Sequence, residues 1–187
     1  MLKRVFIGVL VISLISFPVF VEAKAKGNVE VLEADIDGDG SKEEISFIKK
    51  PIEDELDGLA EGTLQIKAKN KVFTKDLGEI ENSSGASLEV IKVSSNVKPF
   101  IGIFSFAGAH GMRLMLFSFD GSKIMQEIEV FSDAPSIEFK DIDKDGIKEI
   151  VAKSRDYDNS PIKDSIVKTY KYLDKKWQLE STYKTIE

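Results

Sequence analysis

The chain has 187 residues, with 26 Lys and Arg, 32 Asp and Glu, one His and no Cys. The missing Cys excludes disulfides, thiolate metal sites, a Cys nucleophile and a lipid-modified N-terminal Cys, and one His excludes a multi-histidine metal centre. A formal charge of −6 argues against a general nucleic-acid binder, while 42% hydrophobic and 31% charged residues fit a folded globular chain.

Residues 1–25 read as a secretory signal peptide. Lys3 and Arg4 precede an uncharged run from Val5 to Val21 that contains Pro18. Val21-Glu22-Ala23 and Ala23-Lys24-Ala25 then offer small-x-small cleavage patterns. Cleavage after Ala25 leaves 26–187 as a single β-repeat domain, secreted or extracytoplasmic. The run from Val5 to Val21 is near the lower limit for a spanning helix, so membrane contact is expected only through an uncleaved signal segment. Cleavage removes more basic than acidic residues, leaving the remainder more acidic. Exported proteins often use disulfides for stability, and this chain cannot; extracellular calcium, at about millimolar levels, is an available substitute that fills weak sites.

The remainder divides into three units of four short strands, about 27–80, 86–132 and 135–185. Alternating apolar residues place strands near 29–34, 44–49, 63–68 and 71–76 in the first unit. The second has them near 87–93, 100–106, 112–119 and 123–131. The third has them near 136–140, 149–154, 165–173 and 176–183. Phe117-Ser-Phe119-Asp120-Gly121 aligns with Tyr170-Lys-Tyr172-Leu-Asp174 at an offset of 53, and Asp120-Gly121 is a favoured turn dipeptide. No segment after residue 25 carries a long helical stripe. The expected class is all-β, with three blade-like four-stranded antiparallel units in an incomplete-propeller or β-sandwich-like packing. An ordinary closed propeller needs about four to eight blades. Ile45, Phe47, Phe104, Phe106, Leu116 and Trp177 are expected in the core.

In the first unit the first two strands are joined by Asp35-Ile-Asp37-Gly-Asp39-Gly40-Ser41-Lys-Glu43. In the third they are joined by Asp141-Ile-Asp143-Lys-Asp145-Gly146-Ile147-Lys-Glu149, at an offset of 106, twice 53. Carboxylates at positions 1, 3 and 5 converge in a tight turn, Gly at position 6 permits the sharp bend, and the carbonyl of position 7, Ser41 or Ile147, can add an oxygen. A flexible all-oxygen cage suits Ca²⁺ better than Mg²⁺. An EF-hand is excluded because its twelfth position needs a bidentate carboxylate, and here that position is Ser46 or Ala152. The middle unit has Val93-Ser-Ser-Asn-Val-Lys-Pro-Phe100 at this point, without a carboxylate, so no calcium is expected there.

These loops resemble the FG-GAP/VCBS type of repeat, found in integrin-like β-propellers and many exported bacterial proteins. That repeat reads D-x-D-x-D-G-x-x-D/E before a strand, and the resemblance covers about a dozen residues in each copy. It implies that Asp35, Asp37, Asp39, Glu43, Asp141, Asp143, Asp145 and Glu149 supply calcium-binding side chains.

Loops between the second and third strands are the expected partner face, since loops on a rigid β scaffold commonly carry function. They run over Pro51 to Gly62, Ala107-Gly108-Ala109-His110-Gly111, and Arg155 to Pro161. The candidate ligand-binding residues are Gly108, His110, Gly111 and Tyr157, with Glu53 expected on the same side. No nucleophile elbow, phosphate loop or zinc motif is present. The reading is an exported calcium-binding β-repeat module for a cell-surface polysaccharide or protein, with a hydrolase inhibitor as a subtype. The alternative, which the lone His and absent Cys make the weaker one, is a secreted carboxylate- or calcium-dependent hydrolase.

Overall fold

The computed structural model describes residues 24–26, 28–52, 58–81, 85–108, 110–134, 136–157 and 164–186. Its elements are β1 (Lys24–Lys26), β2 (Val29–Ala34), β3 (Glu43–Pro51), β4 (Leu59–Ala68), β5 (Lys71–Glu81), β6 (Ser87–Ile91) and β7 (Phe100–Ala107). They continue with β8 (Gly111–Phe119), β9 (Ile124–Ser132), β10 (Ile137–Lys140), β11 (Glu149–Arg155), β12 (Asp164–Leu173) and β13 (Lys176–Ile186). All pairings are antiparallel. The described residues contain no helix, and hence none long and apolar enough to cross a membrane.

The strands do not form three separate sheets. β1 to β9 make one nine-stranded sheet in the order β1-β2-β3-β4-β5-β7-β8-β9, with β6 also on β7, and β10 to β13 make a four-stranded sheet. The seam between β5 and β7 is a single bridge, Glu81 to Phe106. β1 was not expected. It pairs Lys24 with Val31 and Lys26 with Val29, and so lies across the expected cleavage boundary.

Alternation decides which side chains are buried. β4 alternates almost strictly, with Ala60, Leu64, Ile66 and Ala68 inward. β6 to β9 instead bury both faces. Leu88, Ile101, Ile103, Met115, Phe117 and Phe119 join Ile36, Ile45 and Phe47 in one core. Ile91, Phe100, Leu114, Leu116 and Val130 join Ile137, Ile150 and Trp177 in a second. Strands buried on both sides read as nearly continuous apolar runs, as Met112-Arg-Leu-Met-Leu-Phe117 does. Phe104 and Phe106, expected in the core, are only half-buried. They line an open groove of about 450 Å³ between β7 and β10, which also takes in Phe139 and Met112.

Local turn chemistry matches the hairpins. Lys69 and Asn70 (φ 47° and 63°) and Asp174 and Lys175 (φ 51° and 62°) are left-handed pairs, as two-residue hairpin turns require. At the β8–β9 turn the Asp120 carboxylate accepts the N–H groups of Ser122 and Lys123 at 2.8 and 2.9 Å. The offset of 53 also appears in the backbone. Bulges interrupt β8–β9 between Leu116 and Phe117, and β12–β13 between Thr169 and Tyr170. The unpaired residues are Glu127 and Glu180, themselves 53 apart.

Candidate metal sites

The two acidic loops fold alike. Ile36 N–H donates to Glu43 Oε2 at 2.9 Å, and Ile142 N–H to Glu149 Oε2 at 2.8 Å. Asp39 N–H donates to Asp37 Oδ1 at 3.0 Å, and Asp145 N–H to Asp143 Oδ1 at 3.1 Å. Gly40 and Gly146 reach Asp35 and Asp141 at 3.0 and 3.2 Å. Ser41 and Ile147 donate to Asp39 and Asp145, both at 2.8 Å. Short carboxylates taking N–H groups two to five residues ahead curl the chain, as Asx turns do.

Oxygens of Asp35, Asp37 and Asp39 lie within 4.8 Å of one another, as do those of Asp141, Asp143 and Glu149. Glu43 and Asp145 were expected to join these sets but fall outside the two trios. Glu43 is buried behind its loop, and Asp145 faces Lys171. In the second loop Asp141 Oδ1 and Glu149 Oε1 are buried without a hydrogen-bond partner, although Glu149 is only 1% exposed. Buried carboxylate oxygens are costly unless paired. The donor set is all oxygen and strongly anionic, which fits a hard divalent cation.

Electrostatics separate the two loops. Burial pushes the Glu43 carboxyl up, the Ile36 N–H opposes this, and the charges of Asp37 and Asp35 add to it. The Lys69 ammonium, 2.6 Å from Asp39, holds that carboxyl below its ordinary value, yet the lysine is largely exposed. In the second loop Lys171 enters the cluster itself. It bonds Asp143, stands 2.8 Å from Asp145 and 4.0 Å from Glu149, and its side chain is only 11% exposed. Bonds to Asp143 and Asp145 push its ammonium well above the ordinary lysine range. Sequence reasoning passed over Lys171, whose signal was a Lys between Tyr170 and Tyr172 in an otherwise regular strand.

The middle loop, expected to lack ligands, packs between the other two. Lys148 N–H donates to Val93 O at 2.9 Å. Lys98 lies over Gly38, where an added Cβ would be 3.4 Å from its Cε. The β8–β9 turn closes on the first loop, and a Cβ at Gly121 would be 2.9 Å from Asp37 Oδ2. Between Lys98, Phe119, Asp120, Glu127, Tyr172 and Lys175 is a cleft of about 500 Å³.

The other candidate residues sit at the opposite strand ends, roughly 30 Å away if β3 spans nine residues at about 3.3 Å each. Leu59 pairs with Glu81, whose carboxylate takes the Gly108 N–H at 2.6 Å. Met112, beside Gly111, pairs with Ser132, and Asp133 accepts the Arg155 N–H at 2.6 Å. These contacts link the strand ends that carry Gly108, His110 and Tyr157. His110 and Gly108 are exposed, Tyr157 is 61% exposed, and Gly111 is buried as the first residue of β8. Residues 53–57 lie outside the described residues, and Glu53 with them.

No family model, curated protein or solved structure matches the chain.

Proposed function

We propose that the protein is an exported calcium-binding β-repeat module of FG-GAP/VCBS type, built from three blade-like units, that binds a cell-surface polysaccharide or protein. The observation that carries the calcium reading is the duplicated loop, with four matching hydrogen bonds 106 residues apart and two buried carboxylate oxygens without hydrogen bonds in the second copy. Asp35, Asp37 and Asp39 would hold one ion, and Asp141, Asp143 and Glu149 another. Glu43 would brace the first loop from its buried side through the Ile36 N–H, Asp145 would stand at the edge of the second, and the carbonyls of Ser41 and Ile147 would complete the cages. The ion neutralises carboxylates that otherwise repel one another, which ties each loop to the start of the following strand.

The partner face in this reading is the opposite end, around His110 and Tyr157. Calcium would therefore act on the partner through the stability of the sheets and not as a bridge. Export follows from the reading of residues 1–25 as a signal peptide. Calorimetric titration of demetallated protein tests the reading. Uptake of Ca²⁺ at two sites, with Asp37→Ala and Asp143→Ala each removing one, supports it. No calcium heat and no calcium-dependent melting would sink it. Retention on cell-surface polysaccharide that is lost in the His110→Ala variant, with melting unchanged, would support the partner face.

A further inference from the structure

Loops so alike in sequence would be expected to bind alike, but the strand opposite each differs. In the first unit Glu44 pairs with Lys67, so the next position in register sets Ala68 across from Glu43. In the third unit Ile150 pairs with Tyr170, and the next position sets Lys171 across from Glu149. Ala68 ends at a methyl group. Lys171 carries its ammonium into the group formed by Asp143, Asp145 and Glu149. Lys69 is a weaker counterpart: it bonds Asp39 and feels the charges of Asp37 and Glu43, but from an exposed turn where water screens it, whereas the Lys171 side chain is almost wholly buried.

We infer that Lys171 is an internal counter-cation of the second acidic loop, and that a divalent ion fills this loop only by displacing it. The inference rests on the calcium reading above and adds an order of filling. An ion and an ammonium cannot share the same carboxylate oxygens without strong repulsion. Asp141 Oδ1 and Glu149 Oε1 are buried without hydrogen bonds, and the ammonium approaches the second only to 4.0 Å. They give an entering ion something the lysine does not provide. The first loop has only the exposed, solvent-screened Lys69 on Asp39 as a competitor and fills at lower calcium. The second stays ordered at low calcium because the lysine neutralises part of its charge. Coupling free energies between competing interactions of this kind typically amount to about 5–150-fold in affinity.

The test is a calcium titration of the labelled chain followed by amide NMR at Gly40 and Gly146, one glycine in each loop. In the wild type the Gly146 midpoint is expected at calcium at least about tenfold above that of Gly40. Lys171→Met, which keeps the straight stem without the charge, should bring the Gly146 midpoint down by about that factor and leave Gly40 unchanged. Lys171→Arg should keep the late transition. In chelator, hydrogen exchange at Gly146 should speed up in Lys171→Met but not in Lys171→Arg. If the methionine variant does not fold, Lys171→Gln provides the same comparison. A response at Gly40 with an unmoved Gly146 midpoint in the methionine variant overturns the competition and leaves the calcium reading standing. No response at either glycine in any variant overturns both.

Discussion

Gly40 and Gly146 have φ of 90° and 85°, a region that costs an ordinary L-residue about 1–2 kcal/mol. A Cβ added at either would meet nothing within 4 Å, so space is not the constraint and backbone conformation is. Gly40→Ala and Gly146→Ala are each expected to lower stability by about 1 kcal/mol in chelator, read by urea denaturation, with a larger loss in calcium. Equal stability of both variants with wild type would remove the conformational argument. The same logic marks Lys144, which adopts φ 64° where the first loop has Gly38 at 75°. Lys144→Gly relieves about 1 kcal/mol of strain but restores chain entropy of similar size, so its net effect should stay within about 0.5 kcal/mol.

Among the elements, β6 depends on a largely buried ion pair between β2 and β3. Glu30 and Lys49 are 2.7 Å apart, Glu30 also accepts the Leu88 N–H at 2.9 Å, and Lys49 donates to Ala86 O at 3.0 Å. The pair thus takes up backbone groups on the edge of β6 that does not pair with β7, and so protects it from foreign strands. Removing one partner leaves a buried charge, so Glu30→Ala should cost about 3 kcal/mol. Glu30→Met with Lys49→Met should cost less than the single change, which a double-mutant comparison of denaturation midpoints checks. At the other side of β2, the short strand β1 bears on export. Cleavage after Ala25 would remove two of its three residues, whereas cleavage after Ala23 would leave it whole. Under the export proposed above, the mature chain is expected to begin at Lys24, which N-terminal sequencing decides. A start at Lys26 would mean that β1 does not exist in the mature protein.

At the scale of the whole molecule, the middle strands contribute to both cores. Phe117 and Phe119 lie in one, and Leu114 and Leu116 in the other. Neither core can be lost without exposing a face of β8, so unfolding is expected as one transition. Fluorescence of Trp177, in the second core, should melt together with the β-sheet circular dichroism. Two separated transitions would show independent halves. Calcium that binds only the folded chain adds about 1.4 kcal/mol per site at ten times its dissociation constant. Two filled sites would add roughly 3 kcal/mol, a large part of a typical stability of about 5–15 kcal/mol. Chelator is expected to lower the melting temperature by several degrees, and Mg²⁺ to restore little of it. Equal rescue by Mg²⁺ would contradict the flexible calcium cage.

The twelve strands from β2 to β13 were legible in the chain because side-chain alternation has a period of two and needs no partner to be seen. The acidic loops were legible for a related reason. Their hydrogen bonds join residues at most seven positions apart, so Asp-x-Asp-x-Asp-Gly carries its own geometry. Alternation says which residues share a face, but it is silent on what that face meets. The joining of β5 to β7 through Glu81, the half-burial of Phe104 and Phe106 beside β10, and the seating of the middle loop on the acidic loops depend on contacts between segments distant in sequence. Lys171 shows this most directly. It meets Asp143 from 28 positions away only because β12 pairs with β11 in one register, and a shift of one residue would turn its side chain to the other face.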